Sequence, residues 1–187
     1  MKVPRPLTFL LLLLLAGCRP FGGGAIRLAP GVPFRLCPPE AAPDFFANQE
    51  LSFSFADGRR ETLLAALENR GGVLSLVAST PLGQTLFVVQ VKAGVATVDA
   101  RVPLPSRLDP RALPALVQFA LWPVSAVRAS LGPGLACTED GARRSLLRRG
   151  RVVWSATRTG DTPPFQTLVL ECPGLGLTVR IRTLDEA

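Results

Sequence analysis

The chain has 187 residues, with 21 Lys and Arg against 14 Asp and Glu, 48% apolar residues, and neither His nor Tyr. This length and apolar content exclude a wholly disordered protein and are sufficient for one domain with a sizeable core. The absence of His excludes Ser-His and Cys-His catalytic pairs and every imidazole metal ligand. The composition therefore favours a protein that is not an enzyme and that uses no metal or cofactor.

A short apolar segment begins the chain. Lys2 and Arg5 precede an apolar run over residues 7–17, which is shorter than the roughly 20 residues that a transmembrane helix needs. The run ends in Leu15-Ala16-Gly17-Cys18, which resembles the bacterial lipobox, where the Cys is acylated and the peptide is cut before it. We expect residues 1–17 to be a signal peptide and Cys18 to carry a lipid anchor. The alternative is an ordinary core cysteine after a hydrophobic helix.

Arg19 follows the expected anchor. By resemblance to sorting in Gram-negative bacteria, where Asp at this position favours the inner membrane, Arg19 allows export to the periplasmic face of the outer membrane. Export argues against nucleic acid as a partner of this basic chain. Two interpretations of the basic surface remain: it contacts anionic lipid head groups, or it is solvated and has no partner.

Residues 18–48 contain six prolines and the glycines 22–24. Proline breaks helices and removes donors that a sheet would need. We therefore predict a lipid-anchored tether over 18–48 and a domain over 49–187.

Strand-like alternation begins at Leu51 and continues through five segments to Val102, joined by short turns. This spacing is typical of an antiparallel meander. Helical periodicity follows over residues 109–131, with Asp109 as a candidate cap and Pro114 expected to shorten or restart the helix. Strands resume between 135 and 184. The predicted fold class is mainly β: a curved antiparallel half-barrel of about ten strands covered by a helical insert.

Three cysteines remain beside Cys18. Cys137 and Cys172 both flank predicted strands and form the first candidate for a disulfide, and three unpaired buried thiols, with Cys37, are the alternative. No spacing typical of a zinc site is present.

A hairpin over residues 143–151 is rich in arginine. Arg144, Arg148 and Arg151 are candidates for contact with lipid head groups or an acidic cargo. A solvated hairpin that discourages edge-to-edge aggregation explains them equally well.

Two motifs carry a resemblance to a known family. Residues 74–89 place a Thr-Pro-Leu-Gly-Gln loop between two apolar strands, and Phe119-Ala120-Leu121-Trp122-Pro123 lies in the helical insert. Over residues 50–184 the chain resembles the LolB family of outer-membrane lipoprotein receptors. It is more similar still to lipoproteins encoded with aryl-polyene and fatty-acid-type biosynthetic clusters.

The resemblance implies an acyl-chain cavity between sheet and helices, with lipoprotein or acyl-chain cargo handed over by a LolA-like periplasmic carrier. It also implies that the loop Pro81, Leu82 and Gly83 inserts Leu82 into the bilayer, whereas a loop folded back onto the sheet is the alternative. The candidate lining residues, for which ordinary core packing is equally open, are Phe53, Phe55, Leu64, Leu76, Phe87, Val89, Phe119, Trp122, Trp154 and Leu168.

The leading hypothesis is therefore a non-catalytic acceptor or carrier of lipidated cargo, anchored in the membrane through acylated Cys18. A structural envelope lipoprotein that binds no lipid internally is the alternative. An esterase is disfavoured, because no His base and no Gly-x-Ser-x-Gly elbow accompany the serines.

Overall fold

The computed structural model describes residues 25–103, 109–161 and 163–185. The predicted signal peptide over 1–17, the acylation site Cys18 and the predicted tether up to residue 24 lie outside the described residues. Within the described ranges, no helix has the length and apolar content needed to cross a membrane.

The described chain forms strands with a short helical insert. The strands are β1 (Ala25–Ala29), β2 (Val32–Arg35), β3 (Phe45–Phe55), β4 (Arg60–Arg70), β5 (Val73–Ser79), β6 (Thr85–Lys92), β7 (Val95–Ala100), β8 (Leu135–Asp140), β9 (Arg143–Arg148), β10 (Arg151–Thr159), β11 (Thr167–Cys172) and β12 (Leu177–Asp185). The helices are α1 (Ala112–Leu121) and α2 (Val124–Ala129).

Ten strands form one curved antiparallel sheet in the order β7-β6-β5-β4-β3-β12-β11-β10-β9-β8. Consecutive strands pair as hairpins, and the pairing of β3 with β12 joins the two halves of the chain. Strands β7 and β8 lie at the two edges, and the helical insert connects them. The predicted mainly β fold class is confirmed.

The sequence prediction of a tether is wrong for residues 25–48. Strands β1 and β2 form a hairpin whose apolar side chains are buried in the core: Ile26, Leu28, Val32 and Phe34 are each at most 5% exposed. Pro33 is tolerated because both strands of a two-stranded hairpin are edges, so its missing N–H costs no interior ladder bond. Gly31 takes the positive φ of +70° that the turn requires.

The hairpin and the helices cover one face of the sheet. The indole Nε1 of Trp154 on β10 donates to the carbonyl oxygen of Leu28 at 3.1 Å, which holds the hairpin against the sheet. The indole Nε1 of Trp122 donates to the carbonyl oxygen of Pro38 at 3.2 Å. The segment before β3 is therefore an integral part of the core.

Helix α1 begins three residues after the candidate cap Asp109. The carboxylate of Asp109 instead accepts from the backbone N–H of Arg111 at 3.0 Å, ahead of the helix. Pro114 lies in the first turn, where N–H groups have no partner within the helix, so it neither shortens nor restarts α1. The helix ends at Leu121, and Pro123 separates it from α2.

Candidate functional site

The loop over residues 80–84 holds Leu82 in solvent. The loop is closed by two backbone hydrogen bonds of 2.9 Å, from the N–H of Thr80 to the carbonyl of Gln84 and from the N–H of Gly83 to the carbonyl of Thr80. Gly83 takes a φ of +84°. The side chain of Leu82 is 96% exposed, so it does not fold back onto the sheet.

The strand register places this loop at one end of the sheet, which we call the Leu82 end. Leu64 in the first half of β4 pairs with Ser79 at the end of β5, and Phe55 at the end of β3 pairs with Leu177 at the start of β12. The turn at residues 149–150, between β9 and β10, lies at the same end by the same alternation of strand directions. The loop at residues 80–84 and the turn at residues 149–150 therefore lie at the same end of the sheet.

The core-facing side of the sheet is only half covered at the Leu82 end. Phe53, Phe55, Leu63 and Leu177 lie there, and all four are half-buried. Phe53 and Phe55 share the face of the fully buried Leu51, because residues two apart on a strand point to the same side. Leu63 and Leu177 share this face because they pair with Leu51 and Phe55 on the neighbouring strands. We call these four side chains the mouth residues.

The predicted cavity lining divides into three groups. Phe53 and Phe55 belong to the mouth. Leu64 lies on the opposite face from its buried neighbours Ala65 and Leu67, so the assignment of Leu64 to an internal lining is wrong. Seven others are each at most 1% exposed and pack in the contiguous core with the β1–β2 hairpin and α1: Leu76, Phe87, Val89, Phe119, Trp122, Trp154 and Leu168.

Arg144 is not a surface residue. Its side chain is 2% exposed, and its Nη1 donates to the carbonyl oxygens of Phe119 at 2.7 Å and Trp122 at 2.6 Å. The prediction that Arg144 contacts head groups is therefore wrong. Because the carbonyl end of a helix carries partial negative charge, the guanidinium is favourably placed there.

Glu139 is the ionic partner of the buried Arg144. Its carboxylate accepts from Nε of Arg144 at 2.7 Å and lies 3.1 Å from Nη2 of Arg158. Burial by itself would raise the pKa of Glu139, but the hydrogen bonds and charges of Arg144 and Arg158 outweigh it and lower that pKa below its usual value. The pair therefore fastens α1 to the β8–β9 edge of the sheet.

The cysteines in the described residues are not paired. Cys37, Cys137 and Cys172 are free and buried, so the predicted Cys137–Cys172 disulfide is wrong. Cys137 is on β8 and Cys172 is on β11, and β9 and β10 lie between them. Three strand spacings amount to about 14 Å, twice the Cα separation that a disulfide can bridge. Burial raises the pKa of all three thiols.

An open groove of about 720 Å³ lies between the β1–β2 hairpin and the β8–β9 strands. Its charged lining consists of Arg27, Arg148 and Arg149. Arg148 is the one predicted head-group residue that the structure places in the groove, and Arg151, also predicted, is exposed and pairs with Arg148 across the turn. Sequence reasoning missed Arg27, because that residue lay in the segment interpreted as a tether.

No group of His, Cys, Asp and Glu side chains that could hold a metal ion occurs in the part of the chain that the structure describes.

A family model described as "Protein of unknown function (DUF3261)" matches residues 47–185. The chain belongs to the DUF3261 family. The matched segment begins within β3 and includes the whole ten-stranded sheet apart from its first two residues, Phe45 and Phe46. The β1–β2 hairpin of this DUF3261 protein lies before the matched segment.

No curated protein sequence is significantly similar to the chain. Among solved structures, the chain is similar to the LolA superfamily protein NE2245 from Nitrosomonas europaea, at 10% sequence identity and a TM-score of 0.47. The similarity covers 79% of this chain and 88% of the other.

Proposed function

We propose that the protein is a lipoprotein anchored through Cys18 at the periplasmic face of the outer membrane, where it accepts or carries molecules that bear acyl chains. The cargo class is a lipoprotein received from a LolA-like periplasmic carrier, or a lipid or polyene product of a biosynthetic cluster. The protein binds and releases this cargo without catalysis. The observation that carries the proposal is the exposure of Leu82 on a fixed turn.

An exposed leucine on a rigid turn is well suited to enter a bilayer. Transfer of a Leu side chain from water to an apolar medium is favourable by about 1.5–3 kcal/mol. Since the turn already holds Leu82 away from the sheet, insertion requires no rearrangement of the fold. A single leucine gives weak and reversible contact, which suits a protein whose stable attachment comes from its acyl chains.

The mouth residues supply an apolar surface beside this loop. Phe53, Phe55, Leu63 and Leu177 are half-buried at the same end of the sheet as Leu82. An acyl chain that covers them removes apolar area from water, and the adjacent bilayer offers an environment of similar polarity for release. Binding and transfer therefore need no external energy source.

A second candidate function is a structural lipoprotein that binds no lipid internally. The observation that favours it is the packing of the concave face, where seven of the ten candidate lining residues are fully buried. Under this alternative the Leu82 loop contacts the bilayer but nothing is carried.

Uptake of a fluorescent fatty acid separates the two functions. A soluble chain that begins at Arg19 is suitable, because every core residue in the described part of the chain lies between Ile26 and Ile181. The carrier predicts saturable uptake with one class of site. Absence of uptake by the folded chain would support the structural alternative.

Transfer to vesicles then tests the loop. Leu82→Glu should leave uptake unchanged and slow the transfer of bound probe to phosphatidylcholine vesicles. The matched control is Val95→Glu, because Val95 is 62% exposed and lies at the opposite end of the sheet, paired with Lys92. Equal transfer rates for both variants would contradict the role assigned to Leu82.

The anchor has its own test. Cys18→Ser in the full chain should abolish incorporation of a labelled fatty acid into the protein and should remove the protein from the membrane fraction. Retention of label in this variant would refute acylation at Cys18.

A further inference from the structure

Three arginines face the groove. Arg27 on β1, Arg148 on β9 and Arg149 in the following turn line it, and no Asp or Glu among the residues that the structure describes does. Among the described residues, none of the three is in an ion pair, whereas Arg59, Arg101 and Arg111 each pair with a neighbouring Asp. Like charges that converge on one groove repel one another, and a bound anion relieves that repulsion.

Arg148 and the turn that follows it have a defined geometry beside the β1–β2 turn. Arg149 and Gly150 form a tight turn in which both have positive φ, +50° and +76°. The guanidinium of Arg148 lies directly over Gly31, where a Cβ would collide with it, and its Nη1 donates to the carbonyl of Pro30 at 3.3 Å. A guanidinium held in this way keeps its remaining N–H donors free for the bidentate contact that phosphate oxygens favour.

The position of the groove indicates where the anion comes from. Ala25 lines the groove, and Cys18 is only seven residues before it. Seven residues span at most about 25 Å when fully extended. A lipid anchor on Cys18 therefore keeps the groove within reach of the head-group layer, and the groove is adjacent to the turn at 149–150, at the same end of the sheet as Leu82.

From this we infer that the groove formed by Arg27, Arg148 and Arg149 binds the phosphate groups of anionic membrane lipids. The inference rests on the proposed anchor at Cys18 but not on the carriage of cargo. It assigns the domain an orientation, with the Leu82 end of the sheet toward the bilayer.

Binding of the soluble chain that begins at Arg19 to lipid vesicles tests the inference. We expect this chain to sediment with vesicles rich in phosphatidylglycerol and to stay in solution when the vesicles are pure phosphatidylcholine. Each arginine near an anionic surface strengthens binding about five-fold, so the triple variant Arg27→Gln, Arg148→Gln, Arg149→Gln should bind on the order of a hundred-fold more weakly. Circular dichroism and thermal unfolding of the variant establish that it is folded.

A second triple variant controls for net charge. Arg70→Gln, Lys92→Gln and Arg180→Gln remove the same charge from exposed positions outside the groove. We expect this variant to bind anionic vesicles almost as well as the unchanged chain. Equal losses for the two triple variants would overturn the inference, because binding would then follow net charge alone.

Further results distinguish this inference from binding of a soluble phosphorylated ligand and from the proposed carrier function. Saturable binding of glycerol phosphate in solution, together with no binding to anionic vesicles, would overturn it in favour of a soluble phosphorylated ligand. Failure to bind anionic vesicles by a chain that still takes up the fatty-acid probe would overturn the inference and leave the proposed carrier function intact. Vesicle binding without probe uptake would support the inference and contradict the carrier.

Discussion

The guanidinium of Arg144 on β9 donates to the carbonyl oxygen of Trp122 at the end of α1 over a distance of 2.6 Å. The same nitrogen reaches the carbonyl of Phe119, and the other side of the guanidinium holds Glu139. A buried cation thus occupies the carbonyl end of the helix that covers the sheet.

Replacement of Arg144 by Met should lower the free energy of unfolding by about 3 kcal/mol, because two helix carbonyls and one carboxylate lose their donor. Urea unfolding followed by tryptophan fluorescence measures this, since Trp122 and Trp154 are both buried. Arg143→Met at the neighbouring exposed position is the control, and we expect it to change stability by less than about 0.5 kcal/mol. Similar losses in both variants would contradict the role given to Arg144.

The lowered pKa of Glu139 predicts a dependence of stability on acid pH. A carboxyl whose pKa is lower in the folded state than in the unfolded state stabilises the fold above its unfolded pKa of about 4.3. That stabilisation is lost as the pH falls through the lower, folded value. We expect unfolding free energies of the unchanged chain and of Glu139→Gln to differ most near neutral pH and to converge in acid.

Glu61→Gln, at an exposed position on β4, is the control for this pH series. Curves for Glu139→Gln and the unchanged chain that stay parallel down to acid pH would show that Glu139 contributes nothing to the acid response.

Gln118 on α1 ties the segment before β3 to the helices. Its Oε1 accepts from the N–H of Cys37 at 2.7 Å and its Nε2 donates to the carbonyl of Cys37 at 2.9 Å. Gln118→Leu leaves both backbone groups buried without a partner, so we expect a loss of about 2–4 kcal/mol in unfolding free energy. Gln90→Leu on the exposed side of β6 should have almost no effect.

Limited proteolysis adds a readout for the same variant. If the amide of Gln118 anchors the segment before β3, cleavage of Gln118→Leu should begin within residues 25–44. First cleavage elsewhere would indicate a general loss of stability instead.

The free, buried thiols predict low reactivity. In the soluble chain that begins at Arg19, Ellman's reagent should label almost no cysteine in the native state and all three of Cys37, Cys137 and Cys172 in denaturant. Burial reduces access, and the raised thiol pKa values reduce the fraction of thiolate. A native chain whose mass falls by two hydrogens on purification, with only one thiol labelled in denaturant, would instead reveal a disulfide.

Sequence patterns predicted the strands well where alternation was regular and a turn followed. The five alternating segments predicted between Leu51 and Val102 correspond to the five strands β3 to β7. The hairpin β1–β2 was missed because its prolines obscured the alternation of Ile26, Leu28, Val32 and Phe34. The general lesson is that proline argues against central strands but not against an isolated hairpin.

The candidate site was predicted less completely, since side-chain environment depends on strand order. Leu82 could be predicted as exposed, because a Pro-Leu-Gly turn leaves its central residue outside the sheet. Arg144 was misplaced although a signal existed: it lies two residues before the buried Leu146 and so shares its face. The error over Cys137 and Cys172 had no such signal, because their distance depends on how many strands separate β8 from β11.

The β1–β2 hairpin occupies the concave surface on which an acyl chain would have to lie to penetrate beyond the mouth residues. The β1–β2 hairpin and a deeply bound acyl chain would therefore compete for the same surface. Deep binding of a long chain would require the hairpin to lift, and the apparent affinity would fall by the fraction of molecules in which it has done so. For the proposed carrier, this makes acyl-chain length a test: uptake of short acyl chains at the mouth residues should leave the hairpin in place, whereas uptake of long chains should require displacement of Phe34 and its neighbours.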